Sequence, residues 1–168
     1  MEFLITYKII IIVIWFALIF ALERLFRAAN YPQSISVVSQ RWRVLKNLGV
    51  SAINMLLSPL LIIPLTAFIT LQFSSWRPEW MLHPAFFIVD LILLDCFLYW
   101  WHRVNHQLPF LWRFHEVHHQ DEFLDSTTAL RFHFGEVFLS SMVRVLVIVA
   151  LGVPIASVII FEIILLVF

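Results

Sequence analysis

Histidine is concentrated in one short part of this sequence. Six of the seven histidines lie between positions 102 and 133 of the 168-residue chain. His102 and His106 are four residues apart, so on a helix their rings project from one face. Leu108-Pro109 follows, and proline both disfavours helix in the residue before it and can begin a new helix. On that second helix one face carries three more histidines, which are His115, His118 and His119. The spacing therefore predicts two helices, joined by a turn, that direct five imidazoles into one space.

Five imidazoles in one space are expected to bind metal. Protonated rings would repel one another, and neutral buried rings would each need two hydrogen-bond partners. As neutral bases they bind first-row metals, and an all-histidine donor set suits iron or zinc better than calcium or magnesium. Cys96 is the single cysteine of the sequence, which excludes a cysteine-rich zinc or iron–sulfur site. The alternative, an interfacial loop that merely carries histidines, is disfavoured by the paired helical spacing.

Several polar residues near the histidines are candidates for supporting roles. Asp95 and Tyr99 precede His102 by seven and three residues and share its helix face. Asp95 is expected either to accept the outer N–H of a ligating histidine, which would fix the tautomer of that ring, or to form an inter-helix hydrogen bond. His133 is interpreted either as a further metal ligand or as a hydrogen-bonding residue of a substrate pocket. Asp90 is expected to be structural.

Apolar segments surround the histidines on both sides. The chain is 62% hydrophobic and 13% charged, whereas soluble domains carry about a quarter of charged residues. Apolar runs cover residues 3–22, 48–73, 84–101, 137–153 and 155–168. The first run is expected to be a retained transmembrane helix rather than a signal peptide, because no basic segment precedes it. The last two runs are short and predict a tight membrane hairpin. The predicted fold is an all-α, polytopic membrane bundle with about four to five membrane-embedded helices.

The distribution of basic residues predicts the orientation of this bundle. The connection after the first run carries Arg24, Arg27, Arg41, Arg43 and Lys46. Short loops rich in lysine and arginine stay in the cytoplasm, so this connection is expected there. Alternation of the spans then places the histidine-rich helical segment on the cytoplasmic side as well. The formal net charge is zero, and nothing indicates a nucleic-acid partner.

Three motifs within residues 95–136 can be compared with known families. They are Asp95-x3-Tyr99-Trp100-x-His102-Arg103-x2-His106, Leu111-Trp112-x-Phe114-His115-x2-His118-His119 and Thr128-Ala129-Leu130-Arg131-x-His133-x2-Glu136. Together they resemble the fatty acid hydroxylase superfamily, which includes sterol desaturases, and the resemblance is close over residues 84–140. It implies a membrane-bound non-haem dimetal oxidoreductase, normally di-iron, although zinc can replace iron in a purified sample. Such enzymes use O2 and electrons from a separate donor protein to hydroxylate or desaturate a lipid or sterol-like C–H bond.

The resemblance also assigns residues and domains. His102, His106, His115, His118 and His119 fall on family metal ligands, and His133 lies in a segment whose histidine recurs only in some branches. Family members carry a further HxxHH cluster, so we expect this chain to be part of a longer enzyme. Residues 1–83 are then an N-terminal membrane region, and residues 84–168 the first part of a hydroxylase-like domain without that last cluster. Two alternatives stay open: an inactive fragment with partial metal binding, and a membrane metal transporter.

Overall fold

The computed structural model describes residues 2–26, 37–73, 76–121 and 123–167. Within these ranges all regular structure is helical, which confirms the predicted all-α class. Arg27, one of the basic residues used to predict the orientation, lies outside the described residues. The α-helices are α1 (Glu2–Leu25), α2 (Val37–Leu57), α3 (Ile63–Phe73), α4 (Phe86–Gln107), α5 (Pro109–His119), α6 (Phe134–Leu151) and α7 (Ile155–Val167). A π-helical segment, Ser58–Ile62, joins α2 to α3, and short 3-10 helices cover Glu79–Leu82 and Thr128–Leu130.

Two helical stretches in the described part of the chain are long and apolar enough to cross a membrane. They are Ser39–Thr66 and Phe134–Leu151, and little of either is buried inside the fold. In the first stretch Leu56 and Leu60 are each 71% exposed. Apolar surface of this extent suits contact with lipid. The finer expectations, four to five membrane-embedded helices and a cytoplasmic histidine segment, stay predictions.

A sharp corner separates the two helices that carry most of the histidines. Leu108 leaves the helical conformation, with φ −94° and ψ 117°, and Pro109 begins α5. The corner predicted at Leu108-Pro109 is therefore observed. Because no further residues intervene, the last turns of α4 are held close to α5, and the two predicted histidine faces can meet.

The other end of α4 is held by a buried ion pair. Arg77 donates to both carboxylate oxygens of Asp90, at 2.7 and 3.1 Å, and Ser157 of α7 donates to the same carboxylate at 2.9 Å. Asp90 is 2% exposed, in agreement with its expected structural role. Gly152, in the left-handed conformation with φ 60°, ends α6 and accepts a long hydrogen bond from Arg77. This network fixes α4 against the turn between α6 and α7, about 18 Å along the helix from His102.

Candidate metal centre

The last turns of α4 and α5 bring four histidine rings together. His102 and His106 come from α4, and His115 and His119 come from α5. The Nε2 atoms are 3.1 Å apart for His102 and His106, 3.2 Å for His106 and His115, and 3.1 Å for His115 and His119. One nitrogen from each ring lies within 4.8 Å of the nitrogens from the other three. The i, i+4 spacing provides each pair, and the corner at Leu108 faces the two pairs toward each other.

The distances between these nitrogens suit one metal ion. Bonds of about 2.1 Å place neighbouring imidazole nitrogens about 3.0 Å apart around an octahedral ion and about 3.4 Å apart around a tetrahedral ion. The three Nε2–Nε2 contacts fall between these values. Without an ion, two Nε2 atoms at this distance can form a hydrogen bond only if one of them carries a proton. Where neither does, two nitrogen lone pairs face each other, which is unfavourable. The donor set therefore fits a first-row cation such as iron or zinc.

A carboxylate on α6 orients the central ring of the cluster. Oε1 of Glu136 lies 2.7 Å from Nδ1 of His115, and the two residues are only 6% and 1% exposed. His115 therefore carries its proton on Nδ1 and presents the Nε2 lone pair to the other rings. Sequence reasoning considered Asp95 for this role and quoted Glu136 only within a motif. The sequence does contain a signal for Glu136. It is a carboxylate in the first turn of an apolar helix, and such a carboxylate needs a partner.

Burial and crowding favour the neutral form of His102, His115 and His119. Burial, together with the rings of His119 and His106, lowers the pKa of His115 to about 4. Burial is also the main cause that lowers the pKa of His102 and of His119, and neighbouring imidazoles add to it. At neutral pH His102, His115 and His119 are consequently available as unprotonated ligands, the form that binds metal.

We expect the metal-free protein to lose stability as the medium becomes acidic. The unfolded chain binds protons on these histidines below about pH 6.5, whereas the folded chain resists protonation. Stability therefore falls from about pH 6.5 downward, and His115 contributes to this fall until its folded pKa of about 4 is passed. Above pH 6.5 the rings are neutral in both states and contribute no pH dependence.

The measurement is the melting temperature of chelator-treated protein in detergent, scanned from about pH 8 to about pH 5 across the histidine range. The matched control is His83→Gln, because His83 is exposed and, among the described residues, its recorded hydrogen bond is a local one with the backbone of Ala85. The control should show the same fall as the wild type. A melting temperature that stays constant over this range would contradict the expectation.

Two of the predicted ligands lie outside the group of four. The ring of His118 stacks on Phe132, with centroids 4.5 Å apart and planes 8° from parallel. His133 is exposed and caps α6, since its Nδ1 accepts the backbone N–H of Gly135 at 2.9 Å. The assignment of these two residues as metal ligands stays a prediction.

The residues predicted to support the ligands from α4 are both exposed. The hydroxyl of Tyr99 accepts a hydrogen bond of 3.1 Å from Arg103. Asp95 faces a cavity between α4 and α6. Within the described part of the chain, the carboxylate in contact with a clustered histidine is that of Glu136. The supporting roles of Asp95 and Tyr99 toward the histidines stay predictions.

A buried polar network, here called the polar latch, ties α2 to the loop between α5 and α6. Its members are Arg43 and Asn47 of α2 together with Asp121, Asp125, Thr127 and Thr128 of the loop. Nη1 of Arg43 donates to Asp121 at 2.9 Å, and Nη2 pairs with Asp125. Asn47 donates to Asp121 at 2.7 Å and to Thr127 at 3.1 Å. The latch therefore fixes the loop that leads from His119 to Glu136.

The two carboxylates of the latch stay ionised in spite of their burial. Burial opposes the charge of Asp121, but hydrogen bonds from Asn47 and Thr128 and the charge of Arg43 hold its pKa below the usual value. Burial likewise opposes the charge of Asp125, and Arg43 and Thr127 outweigh it to lower that pKa. These carboxylates stabilise the fold above their unfolded pKa of about 4, and that contribution is lost as the pH falls further. Sequence reasoning counted Arg43 only as one charge of a basic connection.

A large cavity opens beside the histidines between α4 and α6. Its volume is about 1020 Å³, and His102, His106 and Glu136 lie on its wall. Aromatic and aliphatic side chains form much of the remaining wall, among them Phe97, Leu98, Trp101, Phe132 and Val137. This volume is at the upper end of the range of about 300–1,000 Å³ that is typical of small-molecule sites. The cluster is therefore accessible from a predominantly apolar chamber of lipid-like dimensions.

Comparison with known protein families matches the same part of the chain. Residues 87–168 fit the family model named Fatty acid hydroxylase, and this range contains the four clustered histidines, Glu136 and the cavity wall. Residues 87–168 therefore belong to the fatty acid hydroxylase superfamily, as the motifs predicted. Membership implies an oxidoreductase that acts on lipids at a membrane. A search of curated proteins and a search of solved structures gave no match.

Proposed function

We propose that this protein is an integral membrane oxidoreductase that uses iron and O2 to hydroxylate or desaturate a lipid or sterol-like C–H bond. The observation that carries the proposal is the cluster of four histidines beside an apolar cavity, within the region that matches the family. An all-nitrogen donor set suits a redox-active first-row metal, and the cavity suits an apolar substrate.

The residues that would hold the metal are His102, His106, His115 and His119. Bound there, iron would supply the activation of O2 that an unactivated C–H bond requires. The chain supplies the remaining conditions. Glu136 holds the tautomer and orientation of His115, and the lowered pKa values of His102, His115 and His119 keep those rings unprotonated. The apolar wall excludes water and receives the lipid tail.

The finer points of the proposal rest on the family resemblance and on charge. For a second iron, the described residues offer His118 and His133, which lie outside the group of four. Electrons would come from a separate donor protein. The basic residues Arg24, at the end of α1, and Arg41, Arg43 and Lys46, in the first half of α2, support placing the histidine end of the bundle on the cytoplasmic side.

The test compares three forms of the purified protein: metal-free, iron-loaded and zinc-loaded. Each is placed in lipid nanodiscs with O2 and a reducing system, and oxidised lipids are measured by mass spectrometry. We expect oxidation from the iron form alone, because zinc binds the same nitrogens but has no redox chemistry. A His83→Ala variant, changed outside the cluster, should match the wild type.

Two results would count against the proposal. If the protein binds iron but never oxidises lipid, the cluster serves metal binding alone. If the zinc-loaded form oxidises lipid as well as the iron-loaded form, the chemistry does not depend on a redox metal in this cluster.

A further inference from the structure

Two asparagines of α2 reach the short segment that leads into α6. Asn47 and Asn54 lie two turns apart, so their side chains project from the same face of the helix. Oδ1 of Asn47 accepts a hydrogen bond of 3.3 Å from Arg131, and the amide of Asn54 donates to the backbone oxygen of Phe132 at 2.7 Å. The helix α2 therefore holds this segment at two consecutive residues.

The bond from Asn54 is a main support of the Phe132 backbone. Residues 131–133 are irregular and lie between the 3-10 helix Thr128–Leu130 and the start of α6. The N–H of Phe132 donates to the oxygen of Leu130 at 3.2 Å, and within the described residues the hydrogen bond to its carbonyl comes from Asn54. An unpaired backbone carbonyl in apolar surroundings is costly, so this bond determines where Phe132 lies.

The side chain of Phe132 in turn supports the ring of His118. The two rings stack face to face, and the His118 ring also forms a hydrogen bond with the backbone of Arg131. Nδ1 of His118 is buried and has no hydrogen-bond partner within the described residues. The centroid of its ring lies 5.9 Å from that of His115. The segment at residues 131–132 therefore holds His118 beside the cluster with one ring nitrogen uncommitted.

The place of Asn54 in the chain gives this bond its significance. Asn54 lies inside the apolar stretch Ser39–Thr66, where a polar side chain commonly serves to join helices. Its amide instead ends on the backbone of the residue that stacks on a histidine. We propose that Asn54 is a positioning residue, which fixes Phe132 and, through it, the orientation of His118. This inference rests on the proposed function, because the orientation of His118 matters where the histidines serve a metal centre.

The test measures how fast individual histidines react with diethyl pyrocarbonate, a reagent that attacks accessible, unprotonated imidazoles. The full chain is treated with a chelator in detergent near neutral pH, and the modified positions are resolved by tandem mass spectrometry. Asn54→Leu keeps the size of the side chain but removes the amide donor. We expect it to raise the rate at His118, relative to the rate at His115, by about fivefold, as for the loss of one hydrogen bond. Phe132→Leu should raise the same ratio, and the double variant should show no further rise, because Asn54 acts through Phe132.

The control is Met55→Leu, which changes the next side chain of α2, one that is 71% exposed; the ratio should equal that of the wild type. If Asn54→Leu does not purify as a folded protein, Asn54→Ala removes the same donor and should give the same rise. A merely structural role would loosen the whole site and raise both rates together. An unchanged ratio in the Asn54 variant, or a further rise in the double variant, would overturn the inference.

The two proposals fail separately, because no metal takes part in this measurement. An iron-loaded protein that does not oxidise lipid would sink the proposed function and leave the reactivity of His118 as measured. An unchanged ratio together with lipid oxidation by the iron form would sink this inference alone.

Discussion

Replacing His115 with alanine is expected to lower the metal affinity of the protein more than about 100-fold. Loss of a residue that merely hydrogen-bonds a metal ligand typically lowers metal affinity about 10–100-fold, and loss of the ligand itself should lower it further. His115 is the central ring of the cluster, with Nε2 contacts to His106 and His119 and an Nδ1 contact to Glu136. Its removal deletes the nitrogen that lies between those of His106 and His119. It also leaves the buried carboxylate of Glu136 without its hydrogen-bond partner.

The measurement is the dissociation constant for Fe²⁺ and for Zn²⁺, determined by competition with a chelator of known affinity. Glu136→Gln provides a graded comparison, because its side-chain oxygen can still accept from Nδ1 but carries no charge. We expect it to lower affinity by about 10–100-fold. The control is His133→Asn. Asparagine can still cap α6, and position 133 lies outside the group of four histidines. The affinity of this variant for an ion bound by the four histidines should equal that of the wild type. Wild-type affinity in His115→Ala would show that the metal binds elsewhere.

Replacing Arg43 with alanine is expected to destabilise the fold by about 3–5 kcal/mol, the usual result of breaking a buried ion pair from one side. The side chains of Asp121 and Asp125 are 0% and 6% exposed, and both would lose their counterion. The carbonyl of Phe123 would lose a hydrogen bond of 2.8 Å as well. Since the latch holds the loop between His119 and Glu136, metal affinity should fall together with stability.

Arg41→Ala is the matched control for this experiment. Arg41 belongs to the same basic connection and the same helix, but it is exposed and has no ion pair among the described residues. Surface charges of this kind contribute little to stability. The readouts are the melting temperature in detergent and the dissociation constant for Zn²⁺. Equal melting temperatures for the two variants would show that the latch does not stabilise the fold.

Sequence spacing predicted the parts of the site that depend on a single helix. The i, i+4 pairs and the proline corner depend only on local backbone geometry, and the four rings of the cluster meet as that geometry requires. His118 illustrates the limit of the argument. Neighbouring residues on a helix are about 100° apart, so His118 and His119 cannot both point squarely at one centre. In the structure His119 joins the cluster, and His118 turns toward Phe132.

The contacts that sequence reasoning missed join distant parts of the chain. Glu136 contacts His115 across 21 residues, and Arg43 contacts Asp121 and Asp125 across 78 and 82 residues. No periodicity encodes such pairs, because they depend on how whole helices pack. Arg43 also fits the positive-inside pattern of basic residues near a membrane span. Its sequence position is therefore explained without a buried ion pair, and the pairing with Asp121 and Asp125 could not be predicted.

The position of the polar latch has a consequence for how the chain divides into folding units. The family match begins at residue 87, whereas Arg43 and Asn47 lie 44 and 40 residues earlier, on a helix that also packs against α6. A protein trimmed to residues 87–168 would retain every clustered histidine but would lack Arg43, the ion-pair partner of two carboxylates in the loop. The contacts that hold the loop between the histidines and Glu136 therefore extend beyond the family match, back at least to α2.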